Sequence, residues 1–370
     1  MRYLSTDYPS ILQAIDVIEP IAYAQTRNYL NGKVTYLSPY LSRGVISTRQ
    51  ILQHLILQKF TFSEVKVLLQ ELAWRDYYQR IWQEKGAQIN QNIFQLTRQF
   101  HTNLLPTSIL EATTGITVID TAIQQMYQTG YMHNHCRMYT ASMACNVAQT
   151  HWLIPAKWMY YYLMDGDWAS NALSWQWVAG TFSSKQYVAN QENMNRFTGT
   201  RQYHTFLDVP YEQLPLQIIP QVLQHRSSLQ LSTTLPNHLP PLQINPLLPT
   251  LIYNYYNLSA TWHQHTLANR ILLLEPALFQ QYPVSDKCIH FALELAQNIP
   301  GIQCFAGSFE ALINLTGKST IIYREHPLNQ HYQGEIEPRE WMVPEVKGYF
   351  PSFFSYWKKI TKKLESYFQP

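Results

Sequence analysis

Four short segments place side chains of complementary chemistry at spacings that would bring them together. In VTYLSPYLSRG (34–44), Thr35 and Ser38 bracket a turn just ahead of a proline-started helix. Hydroxyls and free backbone N–H groups there suit a phosphate, and they equally suit an ordinary helix cap. In ELAWRDYY, Glu71, Trp74, Arg75 and Tyr78 recur at i, i+3, i+4 and i+7, one face of a helix. A carboxylate, an indole and a guanidinium on one face can read a stacked base; a packed tryptophan beside a Glu–Arg pair would look the same. In GYMHNHCRMYTAS, Asn134, Arg137 and Met138 share a face. His133 and His135 flank Asn134, but on a helix they point to different sides, so no metal is expected. In DGDWASNALSWQW, Asp165 and Asp167 sit on a glycine turn, and Asn171 and Trp175 follow at i and i+4. Two carboxylates are too few oxygens for a divalent cation.

These segments need helices to hold them, and residues 1–210 read as helical. Apolar residues recur at helical spacing over Val45–Phe60, Ser63–Gly86, Thr117–Gly130, Tyr131–Trp152 and Pro155–Met164. Residues 211–250 change in texture. Eight of the 21 prolines fall between Val209 and Thr250, which predicts an irregular linker or wrapping segment. Residues 251–370 read as a small α/β unit. ILLLEP (271–276), IQCF (302–305) and STIIY (319–323) make three short strands separated by helices, hence parallel pairing. A basic amphipathic helix, Ser352–Tyr367, closes the chain. The expected class is mainly α, with an all-helical domain followed by a three-stranded α/β unit.

Composition removes several classes. Of the 370 residues only 14% are charged, against about 25% in an average soluble domain, while aromatics are also 14%. Hydrophobic content is 46%, enough for a large core, which excludes disorder of the low-hydrophobicity kind. No apolar run approaches the ~18 residues of a membrane span, and the first residues lack the order of a signal peptide. A soluble, cytoplasmic protein without membrane association is the expectation. Cys136, Cys145, Cys288 and Cys304 form no CxxC pair, so neither a disulfide framework nor a metal site is indicated. The net charge of +3 is only a weak pointer to a polyanion.

Taken together, the order and separation of the four segments resemble the flavin-binding domain of the photolyase/cryptochrome family, over roughly residues 20–180. The resemblance is carried by LSPYLSRGVIS, ELAWRDYY, TGITVIDTAIQQMYQTGYMHNHCRM and LMDGDWASNALSWQW. It implies an all-helical domain holding FAD folded back on itself. Its reduced flavin, once excited, gives an electron to a cyclobutane pyrimidine dimer flipped out of UV-damaged DNA. Tyr23, Val34, Thr35, Tyr36, Leu37 and Ser38 would line the phosphates and ribityl chain, with Arg75 as a phosphate partner. Asp165, Gly166 and Asp167 would meet the folded cofactor, Arg137 would pair with Asp165, and Asn171 would face flavin N5. Glu71, Trp74, Asn134, Met138 and Trp177 match the dimer-recognising set. Trp74 and Trp177 would stack on the pyrimidines, and Glu71 and Asn134 would bond their polar edges. Asn134, where the branch that repairs (6-4) lesions carries a histidine, favours the cyclobutane-dimer branch. Trp175 and Trp152 match two members of a three-tryptophan electron path; the third position falls near Gln99-Phe100, which leaves the tyrosines 160–162 as the nearest substitutes.

The chain also departs from the family. The flavin domain begins almost at Met1, without the preceding α/β antenna domain, so a second, antenna chromophore is doubtful. Arg27 matches a DNA-backbone contact, whereas a second such arginine is His135. A tryptophan that packs near the adenine is Leu68, and the residues after Trp177 follow no family pattern. The resemblance therefore implies a light-driven DNA-repair lyase, with a cryptochrome-like blue-light photoreceptor that binds FAD without repair as the alternative.

Overall fold

The computed structural model describes residues 4–94, 104–183, 185–216 and 218–369. The chain forms two compact units, each discontinuous in sequence. One gathers residues 1–21, 35–86 and 232–370; the other gathers 22–34 and 87–231. The boundaries expected near 210 and 250 cut the chain once each, whereas this division threads it back and forth.

The first unit is built on a parallel sheet of five strands, not three. Their order across the sheet is Ile302–Ala306, Asn269–Leu274, Thr250–Tyr253, Ile321–Arg324 and Glu335–Glu337. Ile252 sits opposite Ile271 on one side and Tyr323 on the other, and Tyr323 opposite Ile336. The two strands missed in the sequence have weak signals. Thr250–Tyr253 is four residues long and follows Pro249 at the end of the proline-rich stretch, yet it is the fully buried centre of the sheet. Glu335–Glu337 carries one apolar residue and forms an exposed edge. Ile252, Ile271, Leu273, Phe309, Leu312, Ile321, Tyr323 and Tyr332 form one contiguous core against a sheet face.

The same unit contains the Phe62–Lys85 helix, capped by Thr61 in a reciprocal pair with Glu64, two residues ahead of the expected Ser63. The loop after Ser38–Ser42 is tied to the loop after the central strand. Leu258 N donates to Arg43 O at 2.9 Å, and the buried Arg43 guanidinium lies 3.7 Å from the Tyr255 ring centroid. Gly44 has φ +63°, and a Cβ there would meet Tyr256 O at 2.4 Å. Only glycine satisfies both conditions.

The second unit is helical. Its main helices are Thr117–Thr129, Asn134–Ser142, Leu153–Tyr162, Trp168–Ala179 and Gln191–Thr198. The single helix expected over Tyr131–Trp152 starts at Asn134 instead, widens into a π turn at Met143–Val147 and ends there, with Gln149 at φ +58°. Asn146 in that turn donates to Val178 O at 3.0 Å and Tyr187 O at 2.6 Å, which ties it to the Trp168–Ala179 helix and the loop beyond.

Gly44→Ala should destabilise the protein by about 2 kcal/mol or more, from the combined backbone strain and the clash with Tyr256. Chemical denaturation read by tryptophan fluorescence would measure it; an unchanged midpoint would mean that the loop shifts freely.

Candidate functional site

The residues singled out in the sequence are divided between the units. Thr35, Tyr36, Leu37, Ser38, Glu71, Trp74 and Arg75 belong to the first; Tyr23, Arg27, Val34, Asn134, Arg137, Met138, Trp152, Asp165, Gly166, Asp167, Asn171, Trp175 and Trp177 belong to the second.

In the second unit two of the expected pairings form. Arg137 donates through Nη2 to both carboxylate oxygens of Asp165, at 3.0 and 2.8 Å, and through Nε to Met132 O at 2.8 Å. Asp165 is 8% exposed, so this ion pair is partly desolvated and geometrically fixed. Asp167 has a structural duty as well: it is the N-cap of Trp168–Ala179 and accepts from Ser170 N at 2.8 Å. Gly166 is required by the chain's own backbone, since a Cβ there would lie 2.8 Å from Leu163 O and 3.0 Å from Tyr160 O.

Asn171 donates Nδ2 to Ala156 O at 2.8 Å. With the amide N–H engaged, Oδ1 is the atom left over, and it takes no hydrogen bond among the described residues. The neighbouring Ser170 Oγ is buried without a partner. The buried Ser170 Oγ and the Asn171 Oδ1, on adjacent residues of the helix that follows the Asp165–Asp167 turn, leave polar atoms open to a polar ligand such as a flavin.

Trp175 and Trp152 are 3% and 0% exposed, and Trp152 Nε1 donates to Asn92 Oδ1 at 2.8 Å. Tyr160 packs edge-on against Trp168 with centroids 5.3 Å apart. Tyr161 and Tyr162 meet at 4.9 Å, and Tyr127 continues the row at 4.6 Å from Tyr162. The Gln99-Phe100 position lies outside the described residues. Asn134 is exposed and donates to Met138 Sδ at 3.8 Å, so these two do share a face. Trp177 is tilted against Tyr187 at 5.7 Å. Arg27 donates to Ala24 O at 3.1 Å, and its guanidinium lies 5.9 Å from the Tyr23 ring centroid.

The histidines differ from expectation. His133 caps the Asn134–Ser142 helix and accepts from His135 N, and the two rings stand 6.2 Å apart rather than on opposite sides. Among the described residues no group of three metal-ligating side chains forms. Burial, with Arg137 adding, holds the His133 pKa below its ordinary value. Burial also pushes His135 down to about 4, with the charges at His133 and Arg27 adding. At neutral pH it carries no charge where the resemblance places an arginine.

In the first unit Tyr36 holds φ +55°, an uncommon conformation for an aromatic residue. Thr35 Oγ1 accepts only a long bond, 3.4 Å, from Leu37 N, and Leu37, ahead of Ser38, caps without a side-chain bond. Arg75 closes the other end of that short helix, donating to Leu41 O at 3.0 Å and Ser42 Oγ at 3.4 Å.

Trp74 holds what the sequence did not reveal. Its ring is stacked on Phe353, with centroids 3.6 Å apart and planes 9° from parallel, and Trp357 extends the stack at 6.1 Å. Phe353 opens the Phe353–Tyr367 helix, which packs on Phe62–Lys85. Phe353, Tyr356, Ile360 and Leu364 of that helix are all 3% exposed or less. Lifting it would expose four large side chains at a cost on the order of 6–12 kcal/mol, comparable with the stability of a whole domain. The helix is therefore part of the fold and not a lid, and one face of Trp74 is covered. The apolar stripe at 353, 356, 360 and 364 was a readable signal, but its partner was not.

Comparison with known proteins follows the same outline. The sequence model for the FAD-binding domain of DNA photolyase matches residues 68–205. The deoxyribodipyrimidine photo-lyase of Vibrio cholerae is 34% identical over 180 residues, covering 43% of this chain and 36% of that protein. The enzyme of the same name from Escherichia coli is 32% identical over 167 residues, covering 43% and 35%. The chain thus spans about a third of the length of these relatives. Among solved structures, a Synechocystis cryptochrome aligns with TM-score 0.48 at 21% identity, over 53% of this chain and 44% of that one. Residues 68–205 are thus similar to the FAD-binding domain of DNA photolyase. FAD is the cofactor of that domain.

Between about pH 4 and the ordinary histidine value of about 6.5, His135 is neutral when folded and protonated when unfolded. Folding then releases a proton, so stability should fall as pH is lowered through this window. Melting curves of His135→Gln should show a weaker fall between pH 7 and pH 4.5 than those of the wild type. Parallel curves would mean that His135 is accessible in the folded state.

Proposed function

We propose that this protein is a light-driven, FAD-dependent lyase that splits cyclobutane pyrimidine dimers in DNA. The observation that carries the reading is the Asn171 amide: its N–H is engaged by Ala156 O and its Oδ1 is left as an acceptor, four residues ahead of Trp175. An acceptor at that position suits an N–H at flavin N5. When bound and reduced, FAD would supply photoexcited one-electron donation to the dimer with no net redox change.

The chain's own residues divide the remaining work. Arg137, braced by Asp165 and Met132 O, holds a fixed positive charge in a partly buried setting, where it stabilises negative charge on a bound ring. Tyr23, Val34, Thr35, Tyr36, Leu37 and Ser38 hold the phosphates and ribityl chain. Arg75 contributes positive charge there while capping the Ser38–Ser42 helix. Asp165, Gly166 and Asp167 shape the turn that fixes Arg137 and starts the Asn171 helix. Glu71 and Asn134, both exposed, accept and donate to the polar edges of a flipped pyrimidine. Trp177 and the uncovered parts of Trp74, with Met138, provide its apolar walls. Trp175 and Trp152 pass electrons inward, and Arg27 contacts the DNA backbone.

A second reading is supported by one observation. With Phe353 flat against Trp74, the chain itself occupies a stacking surface that a dimer would use. A protein that keeps FAD and its electron path but fills this surface would act as a blue-light photoreceptor.

Light-dependent loss of dimers from an irradiated oligonucleotide decides between the two. For the repair reading, Trp177→Ala and Glu71→Ala should each cost about 1–3 kcal/mol of dimer binding while retaining FAD. Phe353→Ala should repair at least as fast as the wild type. If neither wild type nor Phe353→Ala removes dimers, the photoreceptor reading stands.

Trp175→Phe should nearly abolish photoreduction by an external thiol and spare repair by chemically reduced enzyme, and Trp152→Phe should slow photoreduction more mildly. Full photoreduction in Trp175→Phe would show that electrons arrive by another route.

A further inference from the structure

The Phe353–Tyr367 helix has two faces of opposite character. Phe353, Tyr356, Ile360 and Leu364 are buried in the first unit, and Lys358, Lys359, Lys362 and Lys363 are all exposed. Four lysines against the single Glu365 give the helix a charge of +3, which equals the net charge of the entire chain. The other residues hold 23 basic and 23 acidic side chains and are neutral overall. None of the four ammonium groups forms an ion pair among the described residues, and Glu345 lies within electrostatic reach of Lys363. A charge of +3 is thereby concentrated within the 15 residues of this helix, with all four lysines exposed.

We propose that this lysine face binds the sugar–phosphate backbone of DNA. The alternative polyanion, an acidic lipid surface, is engaged by amphipathic helices that bury a free apolar face in the interface. Here that face is already occupied by the Phe62–Lys85 helix and its surroundings, and Phe354 alone among the large apolar side chains of the helix is well exposed, at 69%. What remains is charge without an insertable surface, which is what a phosphate backbone requires. The helix that carries the charge also places Phe353 on Trp74, so the face accompanies one of the residues proposed to meet the lesion. The inference rests on DNA being the partner, as in the reading above, and adds a backbone-binding element outside residues 68–205.

The test uses an undamaged fluorescent duplex and the full chain with FAD bound. Replacing the four lysines together, Lys358→Gln, Lys359→Gln, Lys362→Gln and Lys363→Gln, should flatten the slope of log affinity against log salt by about 3–4. Between 50 and 200 mM salt the loss of affinity should shrink on the order of a hundredfold. The corresponding four arginine substitutions should keep the wild-type slope. An unchanged slope in the glutamine variant overturns the proposal. So does intact DNA binding with loss of binding to phosphatidylserine vesicles, which would make lipid headgroups the partner. The duplex carries no lesion, so a failure of repair leaves this measurement untouched, and the reverse also holds.

Discussion

The Phe62–Lys85 helix is enclosed along most of its length, and it carries polar residues into that enclosure. Asp76, Gln79 and Arg80 are only 5–6% exposed. A buried polar group without a partner costs several kcal/mol, so the rest of the unit must supply partners. Asp76 accepts from Thr48 Oγ1 at 3.0 Å and from Met342 N at 2.9 Å, and burial still raises its carboxyl above the ordinary value. Gln79 accepts from Arg339, and Arg339 also reaches Gln83 at 2.8 Å. The Arg80 guanidinium lies 4.2 Å from the Trp341 ring centroid. The irregular stretch around 339–342 is thereby fixed against the Phe62–Lys85 helix, ten residues ahead of the C-terminal helix that packs on it.

The packing of these two helices sets the surroundings of Trp74. An indole on a helix face is a general stacking platform, and its use depends on what lies against it. In this chain a phenylalanine ring lies flat on it, accompanied by three further buried side chains of the same helix. The flavin-side residues follow a different logic. Asn171, Arg137 and Asp165 are held by backbone carbonyls and by one another inside a single helical unit, so their arrangement needs nothing from the sheet.

Residues with local partners were legible in the sequence, and residues with distant ones were not. The Thr117–Thr129 helix, the strands at 269–274, 302–306 and 321–324, and the amphipathic C-terminal helix all follow from periodicity and stop signals within a dozen residues. The Arg137–Asp165 pair was legible only through the resemblance, because 28 positions separate the two residues. Arg43 and Gly44 in LSPYLSRG carried no local signal of their role, because Tyr255 and Tyr256, more than two hundred positions away, account for both. Thr250–Tyr253 was lost because a proline-rich approach masks a strand whose burial comes entirely from its neighbours. Phe353 on Trp74 had no local signal at all.

The first unit draws on three separate stretches of chain, and this has a consequence for how the protein is made. The Phe62–Lys85 helix leaves the ribosome about 270 residues before the helix that covers it. At about 5–20 residues per second, roughly a quarter of a minute to a minute passes before that partner exists. Throughout that interval Trp74, Tyr77 and their apolar neighbours have no native cover, while the helical unit of residues 87–231 is synthesised in full. The nascent chain must therefore carry an open aromatic surface past a finished neighbour, a natural point for chaperone engagement.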